Sequence, residues 1–233
     1  IEIKGDGDTN LELNGDNTVL SGDRHHAAIE KADKNGHGTL TIKDDLNDDN
    51  STPKDKDENG NAAGGDTGKL LAGGYGNGAG IGGGSNDLAD TSNITIKGGE
   101  ITARGGYEDG AGIGGGTYGK AKNIRIEGNA HVTASGDGGA GIGGGPYGNG
   151  EITPNSDGLT NGFIAYYDSN ANKGTTAPEK LLHNDGSGAH THTGVTLKSS
   201  TAATCLNNAT VTYLCSCGAE FTTELLGTAG HKL

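Results

Sequence analysis

The heptapeptide GAGIGGG occurs three times, at residues 78–84, 110–116 and 139–145. Each copy contains G-x-G-x-x-G, as Gly78, Gly80 and Gly83 in the first. That is the spacing of a dinucleotide-binding loop, which needs a helix after its glycines to meet the pyrophosphate. Here each copy is followed by further short apolar-alternating pieces, and no acidic ribose-binding position recurs in a strand–helix–strand context. The spacing is a coincidence of alternation, and no nucleotide is expected.

Extending the alignment outward gives a longer unit. NITIKGGEITARGG (93–106) follows the first copy and NIRIEGNAHVTASG (123–136) follows the second. The three starts, Gly78, Gly110 and Gly139, are 32 and 29 residues apart. Each unit holds three pieces, AGI, then ITI or IRI, then ITA or VTA, and each alternates with the period of a strand. No piece offers a helical period over a useful length. Upstream, HAAIEK (26–31) stands for GAGIGGG, GTLTIKDD (38–45) for NITIKGG, and GKLLAGG (68–74) for EITARGG; LELNGDNTVLSG (11–22) matches the last two pieces of a further unit. GEITP (150–154) is read as the start of another.

Three short strands per repeat predict an all-β fold, a right-handed parallel β-helix (solenoid) of about four to five coils over residues 1–165, each coil about 4.8 Å above the last. A connector over 166–189 and a small Cys/His-containing β module over 190–233 follow. Ile81, Ile113 and Ile142 are expected to stack inside, as are Ile94 and Ile96 over Ile124 and Ile126, with Ala79, Ala111 and Ala140 beside them. Asn93 and Asn123 hold matching positions, as a ladder of asparagines would. Gly80 and Gly82 are expected to point outward and form a flat strip without side chains, with Gly82–Gly84 entering a turn that calls for positive φ.

Composition agrees. Glycine makes up 47 of 233 residues, and 28 of them fall between Gly73 and Gly150, in register with Ile and Ala as in a repeat rather than a linker. The net charge of −13 opposes nucleic acid and anionic membranes, whose phosphates need clustered Lys and Arg. No apolar run is long enough to span a bilayer. The chain starts at Ile1 and has no Met, which reads as a segment of a larger protein.

Four tyrosines flank the glycine blocks. Tyr75 and Tyr107 precede two of them (GGYGNG, GGYEDG), and Tyr118 and Tyr147 follow two (GGGTYG, GGGPYG). In a solenoid, equivalent loop residues of adjacent coils lie side by side. Paired rings beside acids such as Asp109 suit sugars, whose apolar faces stack on rings while hydroxyls bond to polar groups. The alternative is that the rings fold down and seal the turns.

Other candidate sites are less specific. Asp55, Asp57, Asn59, Gly60 and Asp66 match the oxygen-ligand spacing of an EF-hand loop, which would hold Ca²⁺, but without flanking helices a solvated acidic loop accounts for them too. Asp168, Asn170, Asn172 and Glu179, and Asp33, Asn35 and Gly38, are fainter echoes. Cys205, Cys215, Cys217 and His231 could make a Cys₃His zinc set, with His190 or His192 as substitutes; one disulfide and one thiol is the alternative. For catalysis, Glu100, Arg104, Arg125 and Glu127 lie on strands but read more simply as outward, solvated residues.

The tail resembles a short Cys/His module found near the C-termini of surface proteins of Gram-positive gut bacteria. The match lies at Ala203-Thr204-Cys205, Tyr213, Cys215, Cys217-Gly218, Glu224 and Gly230-His231, with AHTHTG (189–194) like the end of a preceding copy. The GAGIGGG repeat is similar to the β-helical, carbohydrate-binding-like repeats of the same class of secreted proteins. This resemblance implies extracellular display at the bacterial cell surface and a binding or adhesive role, without identifying a ligand. The leading reading is an adhesin-like protein whose partner is a glycan or a host glycoprotein such as mucin or immunoglobulin. A polysaccharide lyase or hydrolase on the same scaffold, and a passive spacer, are the other readings.

Overall fold

The computed structural model describes residues 1–44, 68–160, 162–167, 180–184, 189–192, 195–202, 209–215, 218 and 220–225. The chain winds as a β-solenoid of about four turns, with its strands stacked into three parallel sheets. The first sheet holds the glycine blocks as two-residue strands, Ile29–Glu30, Ile81–Gly82, Ile113–Gly114 and Ile142–Gly143. The second holds Thr9–Leu13, Leu40–Asp44, Thr91–Ile96 and Ala121–Ile126. The third holds Asp16–Leu20, Lys69–Gly73, Glu100–Arg104, His131–Ser135 and Gly162–Tyr167.

Register follows the repeat. Ile29 pairs with Ile81, Ile81 with Ile113, and Ile113 with Ile142. Leu40 and Ile42 pair with Ile94 and Ile96, which pair with Ile124 and Ile126. These branched side chains form one buried column per sheet. Ala79, Ala111 and Ala140 are buried beside them. Small and β-branched residues suit this core because a coil closes on itself with room for little more than one side-chain layer.

Asn93 and Asn123 adopt left-handed backbone (φ 58° and 53°) and interrupt their strands. The Asn123 amide Nδ2 donates to Asn93 Oδ1 at 3.1 Å, and Asn93 Nδ2 donates to the His37 carbonyl at 2.9 Å. Asparagine tolerates this conformation better than other non-glycine residues, and the ladder satisfies amides that would otherwise face solvent.

The glycine corner differs from the expectation of an open outer strip. The chain folds back on itself there: the Ala79, Ala111 and Ala140 amides donate to the carbonyls of Gly83, Gly115 and Gly144 at 2.9, 3.1 and 3.1 Å. Gly82, Gly114 and Gly143 have φ of 134°, 142° and 145°. All the glycines of the blocks are buried. A Cβ on Gly114 would lie 1.7 Å from the Gly143 carbonyl oxygen, and one on Gly116 would lie 1.5 Å from that of Gly84. Adjacent coils thus meet backbone to backbone, and the glycines are closed architecture rather than exposed surface. The degenerate coil solves the same problem differently. Glu30 is buried, and its carboxylate Oε2 accepts the Ala27 amide at 3.2 Å, standing in for the Gly83 carbonyl of the next coil.

The last coil is less regular than those before it. After GEITP, Glu151 bridges back to Gly143 and Asn155 bridges to Arg125 of the second sheet, and the third-sheet strand comes later in the chain. That strand is GFIAYY, Gly162–Tyr167, whose Phe163 pairs with His131. Within the stretch read as a connector, Lys180–Asn184 is a strand paired antiparallel to Gly162–Tyr167 and followed by Ala189–His192. A separate antiparallel sheet comprises Thr196–Thr201, Ala209–Leu214 and Glu220–Leu225. It packs on the solenoid through a second apolar cluster that joins Phe163, Ala165, Tyr167 and Leu181 to Val211, Tyr213 and Cys215. The buried hydroxyls of Tyr167 and Tyr213 bond across this seam.

Candidate functional site

The loops entering and leaving each glycine block carry the four tyrosines, and the fold-back of the block brings those loops together. Thr117 ties them. Its amide donates to the Asn77 carbonyl at 3.1 Å, its hydroxyl to the Glu108 carbonyl at 2.7 Å, and its own carbonyl accepts the Tyr147 amide at 3.2 Å. Asn77 and Glu108 lie in the loops of Tyr75 and Tyr107, and Tyr118 follows Thr117.

Coil stacking then pairs the rings. Tyr75 and Tyr107 meet edge to face, with centroids 5.1 Å apart and planes at 77°. Tyr118 and Tyr147 stack at 5.1 Å with planes 20° apart. All four remain exposed, from 44% for Tyr75 to 68% for Tyr147. Rings that sealed the turns would be buried. A hydrogen bond to Tyr75 holds the Tyr107 phenol above its usual range.

Charge surrounds the first pair. Arg24 forms an ion pair with Glu108 in which the guanidinium Nη2 donates to both carboxylate oxygens. Asp109 is half-buried with φ 79°; its amide donates to the Asp137 carbonyl at 2.9 Å, and its carboxylate lies over Gly138, where a Cβ would be 1.8 Å from Oδ1. Arg104 approaches Asp137 at 3.9 Å. Arg24 was not singled out by its own sequence context. The signal lies in the register: Ile29 over Ile81 places Arg24 over Gly76, where only a glycine leaves room for it.

The strand residues considered for catalysis sit in surface ion pairs. Lys69 and Glu100 are 3.2 Å apart, Arg125 and Glu127 3.0 Å, and Lys97 and Glu127 3.4 Å. Solvated pairs of this kind neutralise one another and contribute little to stability. The faint acidic echo at Asp33 is a turn: Asp33–Asn35 is one turn of 3₁₀-helix, and the Asp33 carboxylate accepts the Ser92 hydroxyl at 2.5 Å.

The calcium candidates Asp55, Asp57, Asn59 and Asp66 lie outside the described residues, as do Asp168, Asn170, Asn172 and Glu179. So do Cys205, Cys217 and His231 of the zinc candidate. Cys215 is described, and it is buried in the seam between the tail sheet and the solenoid. Among the described residues, no group of three or more His, Cys, Asp and Glu is placed to hold a metal ion. Among them, too, no helix is long and apolar enough to cross a membrane. No protein-family model, curated protein or solved structure matches the chain.

Proposed function

We propose that this chain is a non-catalytic solenoid of a bacterial cell-surface protein that binds glycans, free or on host glycoproteins, through its tyrosine cluster. The observation that carries the reading is the arrangement of four solvent-exposed tyrosines as two side-by-side pairs within one loop cluster. Exposed aromatic groups gathered in one place mark interaction sites. A tyrosine offers an apolar face for the C–H side of a sugar ring and a hydroxyl for its oxygens. The loops that carry the rings are held from both sides by backbone hydrogen bonds, so little order remains to be gained on binding. The resemblance of the tail to surface-protein modules supports extracellular display.

The test is binding of the whole chain to a glycan array, in parallel with Tyr107→Ala and Tyr118→Ala. Binding that is lost in both variants, with melting curves retained, is the expected result. Binding that survives both overturns the assignment of the site. Turnover of a polysaccharide would establish an enzyme instead, and absence of both binding and turnover would leave a spacer.

A further inference from the structure

We infer that Glu108 sets the ligand class of this cluster: by holding Arg24 in an ion pair at the rim of Tyr75 and Tyr107, it makes the site one for uncharged saccharides and shuts out acidic ones. The inference rests on the glycan-binding reading above and adds the sugar's charge to it.

The pair is built into the fold. Arg24 and Glu108 are 84 residues apart and come from coils separated by one intervening coil, to which Gly76 belongs. A Cβ on Gly76 would lie 2.4 Å from Arg24 Cβ, so a glycine there (φ 56°) is what lets the arginine pass. The Arg24 carbonyl is fixed by the Asn77 amide at 2.9 Å. Glu108 is fixed through its amide, which donates to the Gly76 carbonyl at 2.9 Å, and through its carbonyl, which accepts the Thr117 hydroxyl at 2.7 Å. The Arg24 guanidinium then engages both oxygens of the Glu108 carboxylate.

The charges around the tyrosines decide what can bind. A guanidinium is the side chain best suited to a sugar carboxylate or sulfate, because it makes two parallel hydrogen bonds. Here both oxygens of Glu108 take one prong of that fork, Nη2, and the carboxylate offsets the charge of Arg24. Arg104, a further cation of the coil that carries Tyr107, faces Asp137, and Asp109 adds a carboxylate. An acidic sugar would have to displace Glu108 or meet its repulsion within a chain already at −13. A neutral sugar needs only ring faces, phenol hydroxyls and carboxylate acceptors, all of which are present.

The test measures affinity of the whole chain for immobilised N-acetylchitohexaose and mannohexaose, both neutral, and for hexagalacturonate and sialyllactose, both acidic. The wild-type chain is expected to favour the neutral probes. Glu108→Gln, which keeps the side-chain shape and releases Arg24, is expected to shift the acidic-to-neutral affinity ratio by about tenfold toward the acidic probes, the scale of one charge-assisted contact. Adding Arg24→Gln to that variant should return the ratio, which separates a charge effect from a change of fold. Equal wild-type binding to acidic and neutral probes overturns the inference and leaves the glycan reading standing. A ratio unmoved by Glu108→Gln also overturns it. Failure of the wild-type chain to bind any of a broad set of glycans overturns both.

Discussion

Four glycine-to-alanine changes separate the two reasons a glycine can be required in this solenoid. At Gly114 both apply: φ is 142°, and an added Cβ would sit 1.7 Å from the Gly143 carbonyl oxygen. That oxygen also accepts the Gly115 amide at 2.8 Å, so moving it away breaks a bond between coils. The backbone strain is worth about 1–3 kcal/mol. Crowding adds about 1–3 kcal/mol, and the lost hydrogen bond about 1 kcal/mol. Together they predict a loss of about 3–7 kcal/mol, a large part of the roughly 5–15 kcal/mol that holds a typical domain folded. Gly116 has crowding without left-handed backbone, since its Cβ would lie 1.5 Å from the Gly84 oxygen, and should lose about 1–3 kcal/mol. Gly150 has left-handed backbone (φ 65°) in open space and should lose about 1–2 kcal/mol. Gly7 has neither constraint, and alanine there should be neutral or stabilise by about 0.4–1 kcal/mol. Urea unfolding followed by circular dichroism reads the order as a series of midpoints. Hydrogen exchange reports whether the damage stays near the altered coil, as a stacked repeat allows. If Gly114→Ala and Gly116→Ala unfold like Gly7→Ala, the backbone-on-backbone packing of the corner is wrong.

Asn123→Ala should lose about 2 kcal/mol, from left-handed strain and the broken amide bond to Asn93, whereas Asn123→Gly should recover the strain portion; thermal midpoints of the two variants decide this. In the seam under the tail sheet, burial raises the phenol of Tyr167 first of all, and burial likewise leads for Tyr213. Because the folded state holds these protons more tightly than the unfolded chain does, the stabilisation is complete below the ordinary phenol range near about 10 and is lost as pH rises above it. Tail docking, followed by limited proteolysis, should therefore fail at alkaline pH. Tyr213→Phe at neutral pH should cost about 1–3 kcal/mol, by taking from Tyr167 the hydroxyl it bonds to, and the double Phe variant should cost less than the single.

Much of the solenoid was legible because its repeat is written in register. Ile81, Ile113 and Ile142 mark one sheet, the ITI and IRI pieces a second, and Asn93 over Asn123 a ladder, since a period-2 pattern fixes which side chains enter the core. The degenerate coil was legible as well, because Leu40 and Ile42 keep the spacing of Ile94 and Ile96. The closed state of the glycine corner was not. Alternation assigns Gly80 and Gly82 to the outside, but it cannot say that the chain folds back and buries them against the next coil. The last third-sheet strand was hidden because Phe163, Tyr166 and Tyr167 replace the small residues of the repeat; this strand is buried on both faces, under the core on one side and the tail sheet on the other. The tyrosine pairs were foreseen from equivalent loop positions. The Arg24–Glu108 pair was not, since two residues so far apart meet only once the coil register is known.

The central claim is that the tyrosine rings themselves touch the sugar. Saturation-transfer NMR tests it directly: the aromatic protons of the whole chain are saturated and the signal is read on the C–H protons of a bound neutral hexasaccharide. The chain has no Trp, two Phe, seven Tyr and eight His, so loss of transfer in a variant without the four loop tyrosines is what assigns the signal to them. Transfer to one face of the sugar rings is expected, abolished when Tyr75, Tyr107, Tyr118 and Tyr147 are all changed to alanine. Equal transfer from that variant, with its fold intact, would contradict it.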